Sequence, residues 1–203
     1  MLKTKHMASN WAKILVTIAV LVIVPLLSPN DYIQQIINMI GIYVILGTGI
    51  NILTGYTGLL SLGQAAFFGI GAYTTALLNT RAGQPFFICL IASVALTAVC
   101  GLVLAIPALK VKGPYLALLT QGFGEIVRIV MINWTPVTNG TAGILQIQSP
   151  SILGFSFNTL TRYYYLIIVF AAIGLFYQNI LIKSRTGRAF IAIREDSEAA
   201  ELT

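Results

Sequence analysis

Charge is what this sequence has least of. Of its 203 residues, 9% are Asp, Glu, Lys or Arg, against about a quarter in an ordinary soluble domain. Apolar residues make up 57%. A soluble fold cannot hide that much apolar surface, because surface-to-volume scaling leaves too much of it outside. The solvent of most of this chain is therefore lipid. Histidine is nearly absent as well: His6, the single one, sits in a basic N-terminal tail. That excludes haem held by a His pair within the chain, and no His-Glu-x-x-His or Ser/His/Asp set is present to support hydrolysis. Two cysteines, Cys89 and Cys100, fall in an apolar run and read as small packing residues, not as a disulfide or a metal pair. The pattern G-x-x-x-x-G-K-[ST] is missing, so ATP has no phosphate loop here. No catalytic residue, metal, cofactor or nucleic-acid partner is expected.

What is there begins with an uncharged run. Residues 32 to 80 hold no Asp, Glu, Lys or Arg, and one helix needs about 20 residues to cross the hydrocarbon core. The run is long enough for two spans with a break between them. Hydropathy along the whole chain suggests six spans, at about 13–28, 32–53, 58–78, 86–107, 113–134 and 163–182. The basic-then-apolar start resembles a secretory signal but reads as an uncleaved first span, since its apolar part is long and more spans follow. Lys3, Lys5, Lys13, Lys110, Lys112, Lys183, Arg185, Arg188 and Arg194 share one side if the N-terminus is cytoplasmic. Only Arg81 and Arg162 then fall outside, which is the bias expected of cytoplasmic loops. The expected fold is all-α: a polytopic transmembrane bundle over residues 1–182, with a discontinuity near 54–58. A cytoplasmic amphipathic segment over 183–203 follows, and its lack of an end signal at Thr203 suggests a fragment.

The stretch "GYTGLLSLGQAAFFGIGAY", residues 55 to 73, concentrates five glycines without a charge. In lipid, small residues let helix backbones approach closely. Ser61, Ala65 and Gly69 recur at four-residue spacing and predict a smooth stripe, with Gly55 and Gly58 at the interruption before it. Irregular backbone at membrane depth persists only when buried in protein or facing water. Gln64, the one amide of the stretch, reads either as an interhelical hydrogen bond or as a group lining a path. The span "GPYLALLTQGFGEIVRIVMINW" carries a stronger polar signal. Gln121, Glu125 and Arg128 stand at i, i+4 and i+7 and share a face. At ~1.5 Å per residue from Lys112, Glu125 lies about 20 Å into the membrane. Charges there are costly and mark either a buried structural ion pair or the lining of a transport path.

Four stretches, "LTGYTGLLSLGQAAFFGIGAYTTALL", "VKGPYLALLTQGFGEIVRIVMINW", "TNGTAGI" and "SRTGRAFIAIREDSEAAE", resemble in this order the permease subunits of branched-chain amino-acid ABC importers, of the LivM type. The resemblance implies a second permease subunit, two cytoplasmic ATPase subunits and a periplasmic or extracellular solute-binding protein around a path in the bacterial cytoplasmic membrane. It implies that Arg188, Arg194, Glu195, Asp196, Glu198, Ala199 and Ala200 belong to the segment that couples to the ATPase. The long polar connection at 135–162 would meet the binding protein. Family members continue past the coupling segment with further spans, so a chain ending at Thr203 is expected to lack part of the path. Permeases for urea and short amides are closely similar. A different class, an ion-coupled secondary transporter, is consistent with Glu125, Arg128 and a broken helix.

Overall fold

The computed structural model describes residue 25 and residues 30–111, 113–152 and 155–195. The expected span at 13–28 lies outside the described residues, Pro25 excepted. Helix α1, Asp31–Ile50, runs without a gap into a π-helical turn, Asn51–Tyr56. After an irregular strip come α2 (Gln64–Ala82), α3 (Phe86–Ala108), α4 (Pro114–Asn133) and a single turn, α5 (Thr135–Thr138). A two-stranded hairpin, β1 (Ser151–Ile152) with β2 (Phe155–Ser156), is antiparallel, with Ser151 opposite Ser156. Two helices finish the described chain: α6 (Leu160–Lys183) and α7 (Arg185–Glu195).

Among the described residues, four helical stretches are long and apolar enough to cross a membrane: Asp31–Tyr56, α3, α4 and α6. They match the spans expected at 32–53, 86–107, 113–134 and 163–182. Helix α2 corresponds to the span expected at 58–78 but starts at Gln64 and ends at Ala82. Its Asn79, Thr80 and Arg81 make it more polar than the other four. Its end is set by Gly83, whose left-handed backbone (φ 58°) stops the helix in the way that glycine does without steric cost.

The helices pair by close backbone approach. A Cβ on Gly41 of α1 would lie 2.6 Å from Ile167 Cγ2 of α6, and Asn38 Nδ2 donates to the Leu160 carbonyl, 3.1 Å, at the start of α6. Helices α1 and α6 thus lie side by side and run the same way. Gly63 sits over Thr120 of α4, and a Cβ on Gly69 would touch Met131 Cε at 3.2 Å. Phe67 and Phe123 stack between α2 and α4 with ring centroids 5.5 Å apart. Arg81 Nη2, at the end of α2, donates to the Pro136 and Val137 carbonyls just beyond α4 (2.9 and 2.7 Å). Helices α2 and α4 are therefore parallel, with α3 returning between them. One end of the bundle collects the π-turn, the α3–α4 turn with Lys110, and α7. The opposite end collects Asp31, Arg81 and residues 134–152 and 155–159.

The break in the glycine-rich stretch differs from the expectation at 54–58. Residues 54 to 56 remain helical in the π-turn, and the irregular strip is Thr57–Gly63. It starts at the end of the bundle where α7 packs, not in mid-membrane. The reason is local: Gly58 adopts φ 71°, a conformation that a glycine reaches freely and that ends a right-handed helix. The connection at 135–162 is also more ordered than a plain polar loop. Thr138 is buried and its hydroxyl donates to Met131 O (2.7 Å) and Trp134 O (2.9 Å). Asn79 Oδ1 accepts from Gln148 N at 2.8 Å, and Arg162 caps the hairpin, donating to Ser156 O at 3.0 Å and lying 4.7 Å from the Phe155 ring centre.

Candidate functional site

The polar face of α4 opens on a groove of about 430 Å³ between α2 and α4. Leu62, Ala65 and Tyr73 line one wall, and Gln121, Glu125 and Arg128 the other. The three residues of the i, i+4, i+7 pattern are thus brought together. Arg128 Nε donates to Glu125 Oε2 at 2.9 Å, and its Nη2 to Oε1 at 2.5 Å. Two parallel donors on one carboxylate make a planar, bidentate pair, the geometry that guanidinium favours. Of the two readings, a buried structural pair or the lining of a path, the described chain by itself buries neither partner fully: the side chains are 61% (Arg128) and 53% (Glu125) exposed. The cause is geometric: α2 meets α4 through Gly63, Gly69 and Phe67, a seam beside the charged face.

A larger groove, about 640 Å³ between α2 and α3, is walled by Phe67, Phe68, Thr97, Val94 and Ile147 and carries no charged side chain. The charged side chains lie in the smaller groove. Among the described residues no three His, Cys, Asp or Glu side chains gather as they would around a metal. Both Cys89, which is buried, and Cys100 are free thiols.

Gln64 stands apart from the α4 group. It is the first residue of α2, and its Nε2 lies 2.9 Å from where a Cβ on Gly49 of α1 would be. Its environment is the α1–α2 contact. The expected stripe of small residues is also redistributed. Ser61 lies in the irregular strip, outside any helix, so helical spacing holds for Ala65 and Gly69 alone. Gly69 packs on α4, whereas Ala65 lines the groove. Gly55 makes room for the Asn51 side chain inside its own π-turn, and Gly58 for Arg194 of α7. Neither serves a seam between spans, because both stand where α1 has ended.

Thr120 was not singled out by the sequence, yet it organises the groove's inner end. Its hydroxyl accepts from Leu62 N at 2.9 Å and donates to Ala117 O at 3.0 Å, and the residue is buried. It thereby pairs a backbone N–H of the irregular strip that no helix satisfies. A mid-helix Thr carries no signal of such a partner, which lies 58 residues away.

At the inner end of the bundle, Ser184 separates α6 from α7. Its extended backbone (ψ 176°) ends α6, and its Oγ accepts from Gly187 N at 3.3 Å, an N-cap for α7. Gly187 is buried against the last carbonyls of α6, those of Leu181 and Ile182, with no space for a Cβ. Helix α7 is thus folded tightly back at a fixed corner. Arg188, Arg194 and Glu195 are exposed on it, and Arg194 Nη1 donates to Gly55 O at 2.7 Å. Asp196, Glu198, Ala199 and Ala200 lie outside the described residues.

Comparison with known proteins shows the family of the chain. Residues 32–203 match a family described as branched-chain amino acid transport system / permease component. The chain is 39% identical over 188 residues to the high-affinity branched-chain amino acid transport system permease protein LivM of Salmonella typhimurium, covering 81% of this chain and 44% of that protein. It is 39% identical over 181 residues to the LivM of Escherichia coli, covering 78% and 43%. It therefore spans less than half the length of these relatives. No solved structure matches it.

Proposed function

The chain belongs to the branched-chain amino acid transport system permease family, and from that membership we propose that it forms part of a permease subunit of an ABC importer. It is a multi-pass protein of the cytoplasmic membrane, and its family is one of transport components, not of enzymes. In our reading the solute is a branched-chain amino acid, as in the names of the two LivM relatives. A second permease subunit completes the path, two separate ATPase subunits supply the energy, and a solute-binding protein delivers cargo to the outer end. Six spans, counting residues 13–28 and α2, put the N-terminus in the cytoplasm. The gathering of Lys110, Lys183, Arg185, Arg188 and Arg194 at one end of the bundle supports that orientation.

The observation that carries the reading is the Glu125–Arg128 pair, midway along a helix long enough to span and uncovered by its own chain. Lipid does not solvate such a pair, so water or another protein must. A path shared with a second permease subunit supplies both. Gln121, Glu125 and Arg128 then line or gate the path, and Gln64 positions α2 against α1. Arg188, Glu195, Asp196, Glu198, Ala199 and Ala200 belong to the ATPase-facing segment. Purification of the full-length protein from membranes tests the scheme. The second permease and an ATPase are expected to accompany it in mild detergent. Recovery of the protein with neither, under conditions that keep known importers whole, removes the assignment.

A further inference from the structure

We propose that Arg194 is a positioning residue that ties α7 to the Thr57–Gly63 strip of its own chain, and through that strip holds the wall of the groove containing Glu125 and Arg128. The inference rests on the permease reading and gives Arg194 a role inside the chain instead of on the ATPase-facing surface.

Two contacts on one side chain carry it. The guanidinium Nη1 donates to the Gly55 carbonyl, 2.7 Å away and 139 residues distant in sequence. That carbonyl stands in the last turn of a helix, where backbone acceptors run out of intrahelical donors and a cation is favoured. The stem of the same side chain lies over Gly58: a Cβ there would sit 3.1 Å from Arg194 Cγ and 3.7 Å from its Cα. Gly58 is also the residue whose φ of 71° begins the strip. Both anchors of Arg194 therefore bracket the point where the π-turn stops.

The strip carries the tie onward. Thr54 Oγ1 donates to Leu59 O at 3.2 Å, and Leu59 N to Leu53 O at 3.2 Å, which fixes its first half against the end of α1. Leu62 N then donates to Thr120 Oγ1 at 2.9 Å, and Gly63 approaches the Thr120 carbonyl so closely that a Cβ would lie 3.1 Å from it. Leu62 and Ala65 line the groove, and Thr120 immediately precedes Gln121 on its other wall. Contacts at both ends of the strip, joined through the backbone of Leu60 and Ser61, thus link α7 to both walls. The corner at Ser184 and Gly187 leaves α7 little freedom relative to α6, so a displacement of α7 reaches the strip through Arg194.

The test uses the full-length permease with its partner subunits in proteoliposomes, reading leucine uptake, ATP hydrolysis and ATPase retention together. Arg194→Gln is expected to retain the ATPase at wild-type stoichiometry while uptake per ATP falls roughly tenfold, the scale of one lost charge-assisted hydrogen bond. Arg194→Lys, which keeps a cationic donor, is expected to recover part of it. Gly58→Ala leaves the α7 surface untouched and is expected to reproduce the loss, which covers the case in which Arg194→Gln does not assemble. In a cycle with Thr120→Val, the double variant is expected to be no worse than the more severe single one. Loss of the ATPase from the Arg194→Gln complex would make Arg194 a docking residue and overturn the inference. Unchanged uptake per ATP in both Arg194→Gln and Gly58→Ala, or simple additivity in the cycle, overturns it too. A wild-type complex without ATP-driven uptake is a separate result, and it removes the permease reading on which the inference stands.

Discussion

In our reading the chemistry of this chain rests on the pairing of two side chains that its described fold leaves more than half exposed. Glu125 and Arg128 meet in a bidentate contact, and each is the other's main compensation in a setting where an isolated charge is costly. Removing one partner strands the other, whereas removing both leaves no charge to solvate. Glu125→Gln and Arg128→Gln are each expected to lower uptake, per protein in the membrane, at least about tenfold. The double variant Glu125→Gln/Arg128→Gln should be better expressed than Arg128→Gln but still deficient in uptake. Uptake rates normalised to protein in the membrane check this. Normal uptake by Glu125→Gln at normal levels would leave the pair a purely structural role. The shared face of Gln121, Glu125 and Arg128 was legible from spacing alone, because helical geometry fixes it. Exposure of the pair was not, since one helix's sequence does not say which neighbours cover it. Thr120 and Arg194 were opaque in the same way: their partners, Leu62 and Gly55, are set by tertiary contact.

Among elements, the long apolar helices were the most legible. Helices α3, α4 and α6 fall within three residues of their expected limits at both ends, because runs of apolar residues bounded by Pro, Gly or charge leave little choice. The end of α1 was not. A π-turn over Asn51–Tyr56 extends it into the expected break, and no composition signal separates that turn from ordinary helix. Gly55 allows it by giving Asn51 room, a use of glycine that resembles a packing stripe in the sequence. The tightest packing glycine of the α1–α6 pair is Gly41, which is buried against Ile167. Gly41→Val is expected to force these helices apart at a cost of about 1–3 kcal/mol, the usual range for an overpacked core. A lower unfolding midpoint in detergent, with α-helical content unchanged, is the measurement. An unchanged midpoint would mean that α1 and α6 do not pack there.

At the scale of the whole molecule, the fold sorts charge by end. Lys110 lies in the α3–α4 turn, at the end where the π-turn and α7 meet, while Arg81 and Arg162 donate to backbone carbonyls at the other end. Cysteines introduced at Lys110 and Arg188 are therefore expected to label from the same face of the membrane, and one at Arg162 from the opposite face. Labelling of positions 110 and 188 from different faces contradicts the bundle. The division of labour is the larger claim. The glycine-rich stretch gives this chain close helix contacts and no phosphate loop, and in our reading a separate ATPase subunit supplies the energy. Leucine accumulation in vesicles holding the full-length permease and its partner subunits, supplied with binding protein outside and with either ATP inside or a proton gradient alone, tests that most directly. Accumulation with ATP and none with the gradient is the predicted result. Accumulation driven by the gradient without ATP would contradict it and make this chain an ion-coupled carrier.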